Sequence, residues 1–194
     1  MSCSRHIAQK NEQYEFYDVT PDEYFKEQYE IKEFAKNMRK FIVATKFTEA
    51  TFQENKNYRK QKNIQCIYSS PVEVSKKIPI DALLFVLEMN NDKNEIEGIG
   101  LVKNHPIVNK HRIYSSHNYN RYTYIGKHYI SREDMMPEEI DIIRALEHFC
   151  FKTKAHIKRC NGLKQFPTEI LYRLSKVKDI IEFIANMYKK RQTK

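Results

Sequence analysis

Two apolar runs joined by a polar turn constrain the fold of this chain more than any other segment. Residues 83–89 (LLFVLEM) are apolar at almost every position, and residues 95–102 (EIEGIGLV) form a second strand-like run. The residues between them, NNDKN, are typical of a hairpin loop. Because the first run is apolar on both faces, we predict a central strand that pairs with the second run in a hairpin.

Two glycines interrupt the second run of this hairpin. Gly98 and Gly100 point to the same face of the predicted strand and leave it without side chains. Glycine weakens a strand unless the strand must bend or something must approach its backbone closely. A small barrel requires such a bend and a bound ligand requires such an approach, and the sequence leaves both open.

Helix signals lie on both sides of this β-rich centre. Thr20 is a good cap, Pro21 occupies the first helical position, and Glu23 is placed to complete a capping box. Three further helices are predicted over residues 48–61, from residue 137 onward, and from about 167 to 188. Besides the hairpin, strands are predicted at residues 41–45, 65–68, 111–114 and 121–125. This order predicts the α+β class.

The charge balance indicates the kind of partner. Lys and Arg number 34 against 25 Asp and Glu, which gives a net charge of +9. Such a surplus favours polyanionic partners, of which nucleic acid is the commonest. We therefore predict binding to RNA or single-stranded DNA, although a basic surface that serves solubility alone has the same composition.

Cysteine use and the absence of long apolar runs predict the compartment. The four cysteines, at positions 3, 66, 150 and 160, form neither a CxxC pair nor a secreted framework, so reduced thiols are expected. The first residues, MSCSRH, lack the apolar core of a signal peptide, and no apolar run has the length of a membrane span. We predict a cytoplasmic or nuclear protein without a membrane partner.

Four segments taken in order resemble one known family. Residues 40–47 look like an opening strand followed by a helix, 66–71 like a short second strand, 81–102 like paired core strands, and 121–125 like a later closing strand. Over about residues 40–134 the chain resembles the YTH and EVE branch of the PUA-like superfamily. The resemblance implies a small curved β-barrel flanked by N- and C-terminal helices, with a pocket for a single-stranded and often modified base.

Domain limits follow from this resemblance. Residues 1–38 are predicted to form an N-terminal arm and helix, and residues 39–134 the PUA-like barrel. Residues 135–194 are predicted to form a helical extension with a basic loop, packed on the barrel.

The base pocket that the resemblance implies departs from the family in one respect. YTH domains hold methylated adenine in an aromatic cage that contains tryptophan, and this chain has no tryptophan. Ile67 falls near the family's tryptophan in the second strand, so a neighbouring tyrosine must do the stacking and the identity of the base is open. The predicted base-pocket residues are Thr45, Lys46, Tyr68, Ser69, Ser70, Tyr122 and Tyr124.

Basic and aromatic side chains cluster in two further segments. Residues 151–164 carry the densest positive charge, where a loop between helices can present cations to phosphates. The tyrosines of residues 114–129 are interleaved with Lys and Arg, a pattern typical of single-strand binding surfaces and also of ordinary strands. The predicted phosphate-binding residues are Arg121, Lys152, Lys154, His156, Lys158, Arg159 and Lys164.

Catalytic and metal-binding patterns are weak. His148, Cys150, His156 and Cys160 lack the paired spacing of zinc ligands, and Glu88, Glu95 and Glu97 flank a hairpin where exposed acids are ordinary. We therefore predict no catalytic residue, no metal and no cofactor. The predicted function is a non-enzymatic nucleic-acid-binding protein. The alternatives are a nucleic-acid-processing enzyme, or a subunit of one, and an interaction module that forms a homodimer through its amphipathic helices.

Overall fold

The computed structural model describes residues 20–153, 157–158 and 161–192, which fall into two units, one up to Met38 and one from Arg39. The first unit contains helix α1 (Pro21–Asn37). Its start is the predicted capping box, because the Glu23 N–H donates to the Thr20 side chain and the Thr20 N–H donates to the Glu23 carboxylate at 2.8 Å. The predicted N-terminal arm lies outside the described residues.

The second unit combines strands and helices. Its strands are β1 (Lys40–Phe47), β2 (Cys66–Ser70), β3 (Leu83–Asn90), β4 (Glu95–Lys103), β5 (Ile107–Val108), β6 (Tyr122–Gly126), β7 (His128–Ser131) and β8 (Lys164–Gln165). Its helices are α2 (Glu49–Lys62), α3 (Pro137–Glu147), α4 (Thr168–Ser175) and α5 (Ile180–Gln192), and a π-helical turn, His148–Lys152, follows α3.

The larger sheet has five strands in the order β7-β4-β3-β1-β8. Strand β3 lies in the middle, parallel to β1 and antiparallel to β4, so the predicted central strand and the predicted hairpin are confirmed. The β3–β4 register shifts between Leu87 and Met89. Glu88 therefore occupies an irregular position in an otherwise buried apolar strand.

The smaller sheet has three strands in the order β2-β6-β5. The prediction of a small β-barrel is wrong, because the described strands form these two sheets and no closed barrel. Closure requires every edge strand to find a partner around one ring. Here the five-stranded sheet has β7 at one edge and the two-residue strand β8 at the other, and β2 pairs with β6 in the other sheet.

Two local predictions also differ from the structure. The predicted strand at 111–114 is a loop, because the N–H groups of Ile113 and Tyr114 both donate to the Asn120 side-chain oxygen, at 2.8 and 3.0 Å. The predicted C-terminal helix is two helices, because Asp179 accepts the Glu182 N–H at 3.0 Å and starts α5 afresh. Val177 between them is 92% exposed.

Helix α5 packs within the second unit. The Tyr188 ring stacks on Phe85 of β3 with centroids 5.7 Å apart, and its hydroxyl donates to the Ile99 carbonyl at 2.6 Å. The apolar face of α5 therefore covers the larger sheet. The homodimer through amphipathic helices stays a prediction. None of the helices in the described part of the chain combines the length and apolarity that a membrane span needs.

Candidate functional site

A cavity of about 300 Å³ opens where β1 turns into α2. The end of β1, the first turns of α2, the β3–β4 turn, the loop before β6 and the segment before β8 all contribute to its wall. Its lining residues are Thr45, Lys46, Phe47, Thr48, Thr51, Glu54, Ser69, Asn91, Tyr114, Ser115, Ser116, Tyr119 and Gly162.

The junction between β1 and α2 gives the cavity one rigid wall. Thr48 caps α2 by accepting the Thr51 N–H at 3.3 Å, and the Thr51 hydroxyl accepts the Thr48 N–H at 2.9 Å. This reciprocal capping satisfies backbone donors that a helix start otherwise leaves open. Next to it, Phe47 is buried and packs against the ring of Phe52 at 5.4 Å.

Two tyrosines of the loop before β6 form the aromatic part of the wall. Asn120 shapes this loop by donating to the Tyr114 carbonyl at 2.7 Å. The Tyr114 hydroxyl accepts from the buried Asn55 amide at 3.1 Å, and burial raises the pKa of the Tyr114 phenol well above its usual range. Tyr114 is therefore a neutral and fixed part of the wall. Tyr119 is half-exposed, and its hydroxyl lies 3.4 Å from the Asn161 side-chain oxygen.

Gly162 closes the cavity over β2. Its φ is +69°, and a Cβ at this position would lie 2.2 Å from the Ser70 hydroxyl oxygen. Both the left-handed backbone and the close approach favour glycine. The segment before β8 therefore lies directly against the strand that carries Ser69.

Two acceptors belonging to cavity-lining residues have no hydrogen-bond donor. Glu54 accepts the Ser115 N–H at 3.1 Å through Oε1, while its Oε2 is buried without a partner. Asn91 donates to the Lys158 carbonyl at 3.2 Å through Nδ2, while its Oδ1 is buried without a partner. A buried polar atom without a partner costs roughly 1–3 kcal/mol. Both oxygens are themselves buried, so they lie within the packed wall and are not accessible from the cavity.

The structure brings three of the seven predicted base-pocket residues together, since Thr45, Lys46 and Ser69 line this cavity. Tyr68 is fully buried, and its hydroxyl donates to Glu88 at 2.7 Å. Tyr124 is also fully buried, and its hydroxyl accepts the Val74 N–H at 3.0 Å. Neither ring presents a face to this cavity.

The remaining two predicted base-pocket residues lie on paired strands. Ser70 is fully buried, and its hydroxyl oxygen accepts the Val72 N–H at 3.2 Å. Tyr122 is half-buried on β6 opposite Ser70. Neither lines the cavity.

The predicted phosphate-binding residues are spread along the chain. Lys158 is bonded to the β3–β4 turn through the Asn91 amide and through its own Nζ, which donates to Asn94 at 2.7 Å. Lys164 is exposed on β8 and pairs with Ala44, the residue before Thr45. These two lysines therefore belong to segments that border the cavity.

The other phosphate-binding predictions are less directly connected to the cavity. Lys152 is exposed at the end of the π-helical turn, and the Arg121 guanidinium lies 5.2 Å from the centre of the Tyr122 ring. Lys154, His156 and Arg159 lie outside the described residues.

The three glutamates weighed as metal ligands have separate surroundings. Glu88 is fully buried and accepts from Tyr68 at 2.7 Å, Tyr129 at 2.8 Å and Arg59 at 3.0 Å. Glu97 accepts from Asn90 and Lys93, both at 2.8 Å, whereas Glu95 is half-buried at the start of β4. Within the described ranges, no group of three or more His, Cys, Asp or Glu side chains could hold a metal ion.

The weak zinc pattern is only partly visible in the structure. Cys150 is fully buried, and its pKa is raised to about 12 by burial. His148 starts the π-helical turn, whereas His156 and Cys160 lie outside the described residues.

The two strand glycines are explained by the tyrosines that reach Glu88. A Cβ at Gly100 would lie 2.0 Å from the Tyr68 hydroxyl, and a Cβ at Gly98 would lie 2.3 Å from the Tyr129 hydroxyl. The close approach that the two strand glycines indicate is therefore made by the side chains of Tyr68 and Tyr129. Glu88 and its three donors form a filled network in the core, separate from the residues that line the cavity.

Sequence reasoning missed Glu54 and Asn91 as site residues. Glu54 lies among the polar residues of α2, and Asn91 lies in a turn whose composition already had a structural explanation. Tyr114 and Tyr119 belong to the interleaved aromatic series, so that pattern was the available signal for the aromatic wall.

Compared with protein-family models, with curated proteins and with solved structures, the chain has no match.

Proposed function

We propose that this protein binds single-stranded nucleic acid, with one base in the cavity and lysines beside it on the phosphates. The observation that supports this most is the placement of Thr45, Lys46 and Ser69 on one cavity wall that also carries Tyr114 and Tyr119. Aromatic faces with hydroxyl and amide groups between them are the usual surroundings of a splayed-out base.

The size of the cavity is compatible with a base. A volume of about 300 Å³ lies at the small end of the range for small-molecule sites, which suits a single ring system. The half-exposed Tyr119 provides a ring on which an entering base can stack, while the fixed Tyr114 limits how far it enters.

Positive charge adjoins the same cavity. Lys46 lines it, and the Lys158 carbonyl accepts a hydrogen bond from the lining residue Asn91. Lys164 pairs with Ala44, the residue before Thr45. With a net charge of +9 for the whole chain, these lysines are suited to hold the strand on either side of the base.

Fluorescence anisotropy with short single-stranded RNA and DNA at several salt concentrations tests the phosphate contacts. Replacing Lys158 and Lys164 with alanine should weaken binding to every sequence and reduce the salt slope by about 0.7 per lost contact. Lys62→Ala is the control, because Lys62 ends the 14-residue α2 and so lies about 20 Å from its capped start. It should leave the salt slope nearly unchanged.

The same titrations test the stacking contact. Tyr119→Ala should cost roughly 1–3 kcal/mol of binding free energy and leave the salt slope unchanged, because stacking releases no counterions. If the unaltered protein binds neither RNA nor DNA even at low salt, the positive charge serves solubility alone and the proposal is wrong.

A further inference from the structure

We infer that the main chain of Lys46 recognises the Watson–Crick edge of the base held in this cavity. This inference rests on the proposed function and specifies how its ligand is recognised. It follows from the edge of β1, where the pairing with β8 stops before Lys46, and from the position of Gly162 on the same cavity wall.

Two hydrogen bonds fix the direction in which the main-chain groups of β1 point. The Asn91 N–H, just after β3, donates to the Phe47 carbonyl at 2.8 Å, so Phe47 points towards β3. The Phe166 N–H, just after β8, donates to the Ile42 carbonyl at 2.9 Å, so Ile42 points towards β8. Successive residues of a strand direct their N–H and C=O groups to opposite sides. Lys46 therefore directs both groups to the β8 side.

Strand β8 stops before it reaches Lys46. Its pairing with β1 ends at Ala44–Lys164, and continuing this antiparallel register would place Gly162 opposite Lys46. Gly162 instead has a left-handed φ of +69° and lies against Ser70. In the described part of the chain, no hydrogen bond engages the main-chain N–H or C=O of Lys46.

The unpaired edge at Lys46 adjoins the cavity. Lys46 and Gly162 both line it, so the gap where β8 stops is part of the cavity wall. A main-chain donor and acceptor lie side by side in this gap, and such groups are costly to cover without partners. A ligand that offers an acceptor beside a donor can take the place of the missing strand residue.

The Watson–Crick edge of each base has this arrangement. Adenine and cytosine place an amino group beside a ring nitrogen, whereas guanine and uracil place a ring N–H beside a carbonyl oxygen. All four bases can therefore form two hydrogen bonds with the Lys46 main chain, and the cavity should discriminate little between them. It requires the edge to be free, however, so it should accept single strands and reject duplexes.

An extended peptide is another ligand that pairs with a strand edge. The free edge here is one residue long, because Phe47 ends β1 and points towards β3. Strand addition needs a longer run of main-chain groups than this. The half-exposed ring of Tyr119 and the net charge of +9 also favour a flat base on a negatively charged strand.

The experiment uses short oligonucleotides with one base at the centre and abasic sites elsewhere, so that only this base can enter the cavity. A 3-methyluridine base lacks the N3–H and should bind roughly fivefold to a hundredfold more weakly than uridine, because the Lys46 carbonyl is then covered without a donor. The control, 5-methyluridine, carries its methyl group away from the Watson–Crick edge and should bind as uridine does.

A second pair of bases removes the donor without adding bulk. Purine riboside lacks the amino group of adenosine and keeps its ring nitrogens. It should bind roughly twofold to tenfold more weakly than adenosine, the range for one lost neutral hydrogen bond.

Two variants separate the main chain of Lys46 from its side chain. Lys46→Ala and Lys46→Pro both remove the ammonium group, but only proline removes the N–H. This N–H points away from β3, so its loss breaks no bond of the β1–β3 ladder. Lys46→Ala should keep the preference for uridine over 3-methyluridine. Lys46→Pro should bind the uridine oligonucleotide roughly twofold to tenfold more weakly than Lys46→Ala and bind a fully abasic one equally well.

The outcomes separate the two proposals. Equal binding of uridine and 3-methyluridine, an equal loss with 5-methyluridine, or equal binding of adenosine and purine riboside would overturn recognition by the Lys46 main chain and leave nucleic-acid binding standing. Single-base oligonucleotides that bind no better than the fully abasic one would do the same. Thermal unfolding checks that the proline variant is folded, and if it is not, the base series decides alone. Absence of binding to every oligonucleotide, ordinary single strands included, would overturn both proposals.

Discussion

Glu88 shows how one residue can determine the packing of several others. It is a fully buried carboxylate in the central strand, and three donors from α2, β2 and β7 converge on its two oxygens. The guanidinium of Arg59 also lies over the Tyr129 ring at 3.9 Å. Removing a charge from water is costly unless hydrogen bonds replace the hydration, and here they do so at both oxygens.

Glu88 should make the stability of the folded protein depend on pH. Burial raises the pKa of this carboxyl above its ordinary value of 4.5, against the opposing effects of Arg59 and the two tyrosine hydroxyls. A carboxyl with a raised folded-state pKa contributes stability that is fully present below its unfolded pKa and is lost as the pH rises through its folded pKa. The stability advantage of the unaltered protein over Glu88→Gln should therefore shrink as the pH rises above 4.5, the ordinary pKa of the carboxyl.

Urea denaturation of both proteins at a series of pH values on either side of 4.5 measures the difference in the free energy of unfolding. Glu182→Gln serves as the reference, because hydrogen bonds from Lys189 and Lys40 lower the pKa of Glu182 to about 2. Its contribution should be fully present above about pH 4.5 and should be lost only as the pH falls from there towards about 2. An advantage at Glu88 that grows with pH would show that Arg59 and the tyrosines outweigh burial.

Helix α2 connects the cavity to the core at the scale of a single element. Its first turn lines the cavity, Asn55 donates to the Ile67 carbonyl of β2 at 2.8 Å, and Arg59 reaches Glu88 one turn later. Weakening the start of this helix should therefore affect both stability and binding.

Thr48→Ala tests this connection. Loss of the cap should cost roughly 0.5–2 kcal/mol of unfolding free energy and should weaken nucleic-acid binding, because the capped turn is part of the cavity wall. Thr20→Ala is a matched control, since Thr20 caps α1 with the same reciprocal pattern in the other unit. It should weaken its helix without changing affinity, as measured by anisotropy beside thermal unfolding. Equal loss of affinity in both variants would contradict a specific role for the α2 start.

Elements with their own local signals were predictable from the sequence. The capping box of α1, the helix over residues 48–61, Pro137 at the start of α3 and the β3–β4 hairpin are encoded by neighbouring residues, and the structure has them at those positions. Strands β5 and β8 have two residues each, too few to show an alternating pattern. The barrel prediction failed because pairing between distant strands leaves no local trace.

The cavity was predictable only in part for the same reason. Thr45, Lys46 and Ser69 lie on strands that the family resemblance pointed to. Glu54 and Asn91 lie 37 positions apart and line the same cavity only after folding. Which side-chain oxygens end up buried without a partner also has no counterpart in the sequence.

At the scale of the whole molecule, two cysteines report on global opening. Cys66 and Cys150 are fully buried, and burial raises the pKa of each thiol to about 12. The thiolate is the reactive form, so both should resist thiol reagents at about pH 8 while the protein is folded.

A variant with Cys3 and Cys160 replaced by serine isolates these two thiols, since those positions lie outside the described residues. With a chromogenic disulfide reagent, the folded variant should react no faster than it unfolds, and the urea-unfolded variant should release two equivalents of chromophore promptly. Fast reaction of the folded variant would show local opening around one of the thiols.

The contacts of Tyr68 with Gly100 and of Tyr129 with Gly98 also constrain how such a sequence can evolve. Gly100 leaves room for the ring of Tyr68, and Gly98 does the same for Tyr129. A larger residue at either glycine is tolerable only after its tyrosine has been replaced by a smaller side chain, which then leaves Glu88 short of a donor. In diverging descendants of this chain, these four positions and Glu88 should therefore be inherited or exchanged as a set.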